Sequence, residues 1–190
     1  MWVSLGELTA FFSRLNFSLA GWDDEALTAE LLLAEAAIKE RTNREYDAKE
    51  WFESYDGNGR DVLVLDHFPL ISLIQLSISG QTINGGITLD ENRGMIFLTG
   101  GAVFPLGRRN IQVRYRAGFL TIPERIKRAC LLLAAISIIL GSPDDSDSAG
   151  IRSFRVLSYA VTYEGIYARH ISEWRNMIEE TIEYYRRNLI

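Results

Sequence analysis

The stretch Ala129 to Leu140, ACLLLAAISIIL, constrains this chain more than any other part of its 190 residues. It is an apolar run of twelve positions interrupted by Ser137 alone. A membrane-crossing helix needs about 20 such residues. The run therefore reads as a helix buried in protein on every side, and other elements have to surround it. The residues before it mark its start: Thr121-x-x-Glu124 is a capping-box pattern, with Pro123 in the first turn. A chain of this length with 47% hydrophobic residues buries roughly 70% of its unfolded surface, enough to enclose such a helix.

Helical periodicity supplies the enclosing elements. Ser4 and Glu7 form a second capping box, followed by Leu5, Leu8, Phe11, Phe12 and Leu15 at helical spacing. Asp23 or Asp24 caps a longer helix with Leu27, Leu31, Ala34 and Ile38 in one stripe, ending near Thr42-Asn43. Near the C-terminus Ile171, Trp174, Ile178, Ile182, Tyr185 and Leu189 recur every three or four residues. Between the second and third helices the period drops to two. Trp51 to Tyr55 and Val62 to Leu65 flank DGNGRD and read as a hairpin. Ile74, Leu76 and Ile78 alternate with polar residues, as do Ile87 and Leu89, and MIFL at 95 to 98 follows the turn DENRG. Ile111, Val113 and Tyr115 alternate with Gln112, Arg114 and Arg116. Short strands joined by glycine turns imply an antiparallel sheet with one dry face. The expected class is α+β: a single domain over 1–190, with helices at about 4–15, 23–43, 122–140 and 168–188. A β-rich insertion at about 48–118 separates the second and third helices. GSPDDSDSAG, 141–150, reads as a flexible loop, and a strand-like segment follows at 151–163.

Catalytic and ligand-binding chemistry has little to stand on. One cysteine, Cys130, lies inside the apolar helix, so no disulfide forms within the chain and a reducing compartment is expected. No basic region followed by an apolar run marks a secretion signal at the N-terminus. His67 and His170 sit in no Ser-His, Cys-His or metal-ligand spacing. DGNGRD matches a calcium loop at Asp56 and Asn58, but Arg60, Asp61 and His67 occupy positions that need an oxygen ligand, a glycine and a glutamate. GGAVFPLGRR lacks the Gly-Lys-Ser/Thr of a phosphate loop. No enzyme, metal or cofactor is expected.

Charge is more informative. Trp22 to Ser54 carries ten acidic and four basic residues, whereas Arg108 to Arg128 carries seven basic and one acidic, within a chain of net charge −5. On the strand 108–116 the even positions Arg108, Asn110, Gln112, Arg114 and Arg116 share a face by the two-residue period. Two readings stay open. The basic face is either a solvated surface paired with the chain's own acidic helix, or half of a head-to-tail contact of the kind that closes into rings. The overall negative charge argues against a dedicated nucleic-acid binder.

The ordered set of segments resembles the head-to-tail connector, or adaptor, proteins of tailed bacteriophages and related gene-transfer particles. SLGELTAFF resembles the opening helix, and WDDEALTAELLLAEAAIKERTNREYD the second helix with its Arg-Thr-Asn ending. YDGNGRDVLVLDHFPLISLIQLSISG resembles the family's apolar strand and His-x-Pro-Leu-Ile-Ser run, and VRYRAGFLTIPERIKRACLLLAA its strand, Ala-Gly-Phe turn and Pro-initiated helix. The likeness spans about 3–140. It implies a non-catalytic virion protein at the neck, assembled in the host cytoplasm. The subunits would form a homo-oligomeric ring, twelvefold to match the portal, continuing the DNA channel between the portal protein and the head-closure or tail-completion proteins. A head-closure or tail-completion role in the same neck is the alternative, and a cellular nucleic-acid-binding domain or small enzyme is the third reading. Subunit-interface or channel-facing residues would be Arg108, Arg109, Arg114, Arg116, Arg125, Lys127 and Arg128. The stripe Trp174, Ile178, Ile182, Tyr185 and Leu189 would dock on the portal or belong to the core. No membrane contact is implied, and DNA would pass without sequence-specific binding.

Overall fold

A computed structural model of the chain describes residues 1–141 and 167–187. Four helices, α1 (Leu5–Arg14), α2 (Asp24–Thr42), α3 (Glu124–Gly141) and α4 (Ala168–Arg187), bracket seven strands. These are β1 (Lys49–Gly57), β2 (Val62–Val64), β3 (Leu70–Ile78), β4 (Gln81–Thr82), β5 (Ile87–Asp90), β6 (Met95–Leu98) and β7 (Gly107–Ala117). The class is α+β, with all strands inserted between α2 and α3. The expected loop, past Gly141, and the strand-like segment at 151–163 lie outside the described residues, as does Leu189.

The chain divides into two compact units, Met1–Asn43 with Pro123–Arg187, and Arg44–Ile122. In the helical unit α3 packs against α1, α2 and α4. It buries Ile126, Ala129, Cys130, Leu132, Ala134, Ala135, Ile136, Ile138 and Ile139, and between Ala129 and Leu140 only Ser137 is exposed. Neighbours on three sides are what an apolar helix with almost no polar face requires, and Leu131, Leu133 and Leu140 remain half-buried beside Ser137. Ser4 forms the expected capping box with Glu7, and Asp23 accepts from Ala26 N. α2 ends on Asn43, whose left-handed backbone (φ 51°) closes the last turn onto the Glu40 and Lys39 carbonyls. The start of α3 differs from the expected box. The Pro123 carbonyl accepts from Lys127 N at 3.1 Å, and among the described residues no hydrogen bond joins Thr121 to Glu124.

The strand unit holds two antiparallel sheets, ordered β1-β7-β3-β4 and β2-β6-β5. Their inner faces share one core that includes Leu63, Leu70, Leu76, Ile96, Phe104, Ile111, Val113 and Tyr115. β5 and β6 form the hairpin expected around DENRG. The expected hairpin around DGNGRD does not form. β1 pairs with β7 and β2 with β6, so the turn at 58–61 carries the chain from one sheet to the other. Gly57 makes this crossing possible: a Cβ there would lie 1.7 Å from the Pro105 carbonyl oxygen.

Alternation on β3 also departs from expectation. Ile71 and Ile74 are extra residues at two register shifts against β7, so the inward positions are Leu70, Leu73, Leu76 and Ile78. Each bulge turns the following residues to the other face. Ile74, read as a core residue by strict alternation, is 47% exposed.

Candidate functional site

Among the described residues no group of three or more His, Cys, Asp or Glu could hold a metal ion, and no helix is long and apolar enough to cross a membrane. Cys130 is buried and donates weakly to the Leu31 carbonyl at 3.8 Å. Burial, with the Glu35 charge adding to it, pushes its thiol up to about 12, so it is no nucleophile at neutral pH.

One half-buried polar cluster was not singled out by sequence periodicity. Glu53 on β1 accepts hydrogen bonds from the hydroxyls of both Tyr55 and Tyr115 through Oε2, and its Oε1 lies 3.3 Å from His67 Nε2. The same hydroxyls accept from the backbone: Asp66 N to Tyr55 at 3.0 Å and His67 N to Tyr115 at 3.3 Å. His67 stacks on Trp51 with ring centroids 3.3 Å apart. Burial, reinforced by bonding to Glu53, pushes both phenols above their ordinary value, so they stay protonated donors. Every member is spoken for by a neighbour, and the cluster ties β1 and β7 to the segment entering the cis Phe68-Pro69 bond. Its role is structural. The alternation of β1 shows Glu53 facing inward, but pairing with His67 depends on a loop path that periodicity does not encode.

On β7, Gln112, Arg114 and Arg116 are exposed while Ile111, Val113, Tyr115 and Ala117 are buried. Across the sheet they face Ser54, Phe52 and Glu50 of β1 on one side and Ser77, Gln75 and Ser72 of β3 on the other. Phe52 stands on this polar face 68% exposed. Arg114 pairs with Glu50 on the neighbouring strand, not with the acidic helix α2. Arg116 has no ion-pair partner among the described residues. Asn110 does not join the open face; its side chain accepts from Gly57 N at 2.9 Å and donates to Pro105 O at 2.8 Å. Arg108 and Arg109 are exposed at the strand start, where Arg109 takes a left-handed backbone (φ 48°) and donates its N–H to Asp56 at 2.6 Å.

The other predicted cations belong to the helical unit. Lys127 pairs with Glu124 at 3.3 Å, Arg125 lies over the Tyr184 ring at 5.0 Å, and Arg128 is exposed. Lys127 and Arg128, with Arg14 of α1, border a groove of about 250 Å³ whose floor is Val3, Ala10, Phe11 and Leu131. The α4 stripe points inward: Ile171, Trp174, Ile178, Ile182 and Tyr185 are all buried, with Trp174 tilted against Phe11 at 5.4 Å. A second groove, of about 580 Å³, opens between α2, α3 and α4. On its α2 side Leu33 is 62% exposed, and the adjacent Leu32 is 51% exposed.

The head completion protein family matches residues 17–136, well over half of the chain. The chain belongs to the head completion protein family. The match starts just after α1 and runs through both sheets into α3, so it covers the connector resemblance except the opening helix SLGELTAFF and the end of α3. No curated protein matches. Similar solved structures include a chain in the neck of an empty gene transfer agent particle computed with C6 symmetry. It is 22% identical, with a TM-score of 0.58 over 91% of this chain and 88% of that one. Another, in the virion of the native particle, is 21% identical with a TM-score of 0.54, covering 91% and 89%. A third, in the native neck computed with C12 symmetry, is 21% identical with a TM-score of 0.50, covering 92% and 93%. At these identities the likeness is one of fold, and it extends over nearly the full length of both chains.

Proposed function

We propose that this head completion protein is a non-catalytic structural subunit of the virion neck. Its two compact units act as one connector module. In this reading it assembles as a ring, twelvefold to match the portal, between the portal protein and the head-closure or tail proteins, and continues the channel through which DNA passes. The observation that carries the proposal is the family match over 17–136, joined to a fold shared along nearly the whole chain with a protein of a particle neck. The surfaces agree with it. Cations and apolar side chains stand exposed on both units, while Glu53, Tyr55, Tyr115 and His67 bond to one another and hold the fold. The exposed arginines on β7 and the α3 start are assigned to subunit contacts or the channel wall. The buried stripe of α4 is assigned to the core of the helical unit, leaving the exposed residues of the helix, the half-exposed Tyr184 among them, for docking on the portal.

The family's name also fits a head-closure subunit, and the neighbour contacted separates the two roles. Affinity capture of the tagged chain from cells making the particle tests this. Co-purified portal protein supports the adaptor role. Head-closure or tail-completion protein without portal shifts the assignment to the neighbouring position. Recovery of the chain with no virion component overturns the neck assignment.

A further inference from the structure

Two apolar surfaces of this chain have nothing covering them within their own unit, and they are complementary. On the strand unit, Phe52 stands midway along the edge strand β1, on the outer face of the sheet, between Glu50 and Ser54 and opposite Arg114 of β7, with Arg116 diagonal to it. On the helical unit, α2 exposes Glu25, Ala29, Leu32, Leu33, Ala36 and Glu40, a second stripe on the side away from its buried one. An amphipathic helix needs one apolar stripe; a second one on the solvent side marks a contact. The dimensions agree. Ala29 to Ala36 rises about 10 Å along the helix, and three strands span about 10 Å. The charges are opposite as well: carboxylates end the helix stripe, and Arg116 is without an ion-pair partner among the described residues.

We propose that the outer sheet face around Phe52 of one subunit seats on the α2 face around Leu32 and Leu33 of the next copy of this chain. The inference rests on the ring reading and supplies its contact. Because the two faces are different surfaces, the contact is heterologous, and repetition about an axis closes a ring. Phe52 is the anchor, since exposed aromatics and arginines carry most of the energy at such interfaces. Arg114, held by Glu50, and the free Arg116 sit beside the anchor and meet Glu25 or Glu40 of the neighbour.

The test places cysteines at the two anchors. Cys130 is buried and does not compete for the reagent. Differently tagged Phe52→Cys and Leu33→Cys chains are co-expressed in particle-producing cells, and purified particles are treated with a short bis-maleimide. The expected product is a mixed dimer carrying both tags, with no dimer from either variant alone. A chain bearing both cysteines is expected to give a ladder of multimers. Like-tagged dimers from a single variant would mean a two-fold contact and overturn the proposal. Particles that contain both variants yet give no mixed dimer would overturn it while leaving the neck reading intact. Particles that never contain the wild-type chain would remove the neck reading, and this contact with it.

Discussion

The helical unit and the strand unit solve the burial problem by different means. The helical unit is organised around one element, α3, whose circumference is apolar and whose neighbours each contribute a stripe at helical spacing. The strand unit has no such centre. Its core is shared by the inner faces of two sheets, and the alternation that fills it is interrupted at Ile71 and Ile74. Both units bury polar groups, but differently: the helical unit encloses Glu35, which accepts from Trp2 N, together with Thr42 and Thr181, whereas in the strand unit a half-buried Glu53 is held by two tyrosines and a histidine. Close packing makes the helical core sensitive to any change in volume; the sheet core depends in addition on register and on hydrogen bonds that must all be made.

The largest effect is therefore expected at the centre of the helical unit. Ile138→Ala removes a fully buried side chain from α3 and is expected to cost about 2–5 kcal/mol, read as a lower denaturant midpoint by far-UV circular dichroism. In the strand unit the sharpest local constraint is Gly57. Gly57→Ala forces β1 away from the Pro105 carbonyl and is expected to cost about 1–3 kcal/mol, with amide exchange accelerated along β1 and β7. An equal loss of protection in both units on this substitution would show that they unfold as one body.

Tyr115→Phe tests the polar network. It removes one donor to Glu53 and the acceptor for His67 N, for a cost of about 1–3 kcal/mol. The pH dependence follows from the raised phenols. A group whose folded pKa lies above its unfolded value contributes stability that is complete below the unfolded pKa and is lost as pH rises past it. For Tyr55 and Tyr115 the loss begins near the ordinary tyrosine value of about 10. Thermal scans from pH 8 to 11 are expected to show the strand unit failing first, with the slope reduced in the Tyr115→Phe chain.

The smallest effect is at the α1 cap. Ser4→Ala is expected to cost about 1 kcal/mol. The Ser4 backbone N–H, and after it the Ser4 hydroxyl, hold the Glu7 carboxyl below its ordinary value, so the capping contribution is present above the usual carboxylate range and fades as pH falls through it. Titration of Glu7 by NMR in the wild-type and Ser4→Ala chains checks the sign: the pKa rises in the variant.

The same contrast explains what could be read from the sequence. Every described helix lies where the sequence put it: a stripe recurring every three or four residues has one interpretation over ten to twenty positions, and the continuous apolar run after Pro123 marks α3 although its expected capping box does not form. Strands are shorter, and one extra residue reverses the reading. Ile74 fits strict alternation and is nevertheless outside. DGNGRD carries the right residues for a hairpin turn and instead joins two sheets, since the pairing of β1 with β7 is set by contacts far along the chain. Of the candidate surface, the arginines on β7 were legible as one face, but their neighbour Phe52 was not distinguishable from a core aromatic. The α4 stripe was legible as apolar, while its inward direction depended on packing against α1 and α3. Division of the Arg108–Arg128 cations between two compact units was likewise invisible in their spacing.

The neck assignment is tested most directly by electron cryo-microscopy of particles carrying this chain, with the density next to the portal fitted by its helical and strand units. The account predicts a closed ring of copies in that layer, with the Phe52 face of each against α2 of its neighbour. Density there accounted for by another protein, with this chain absent from the neck, would contradict it.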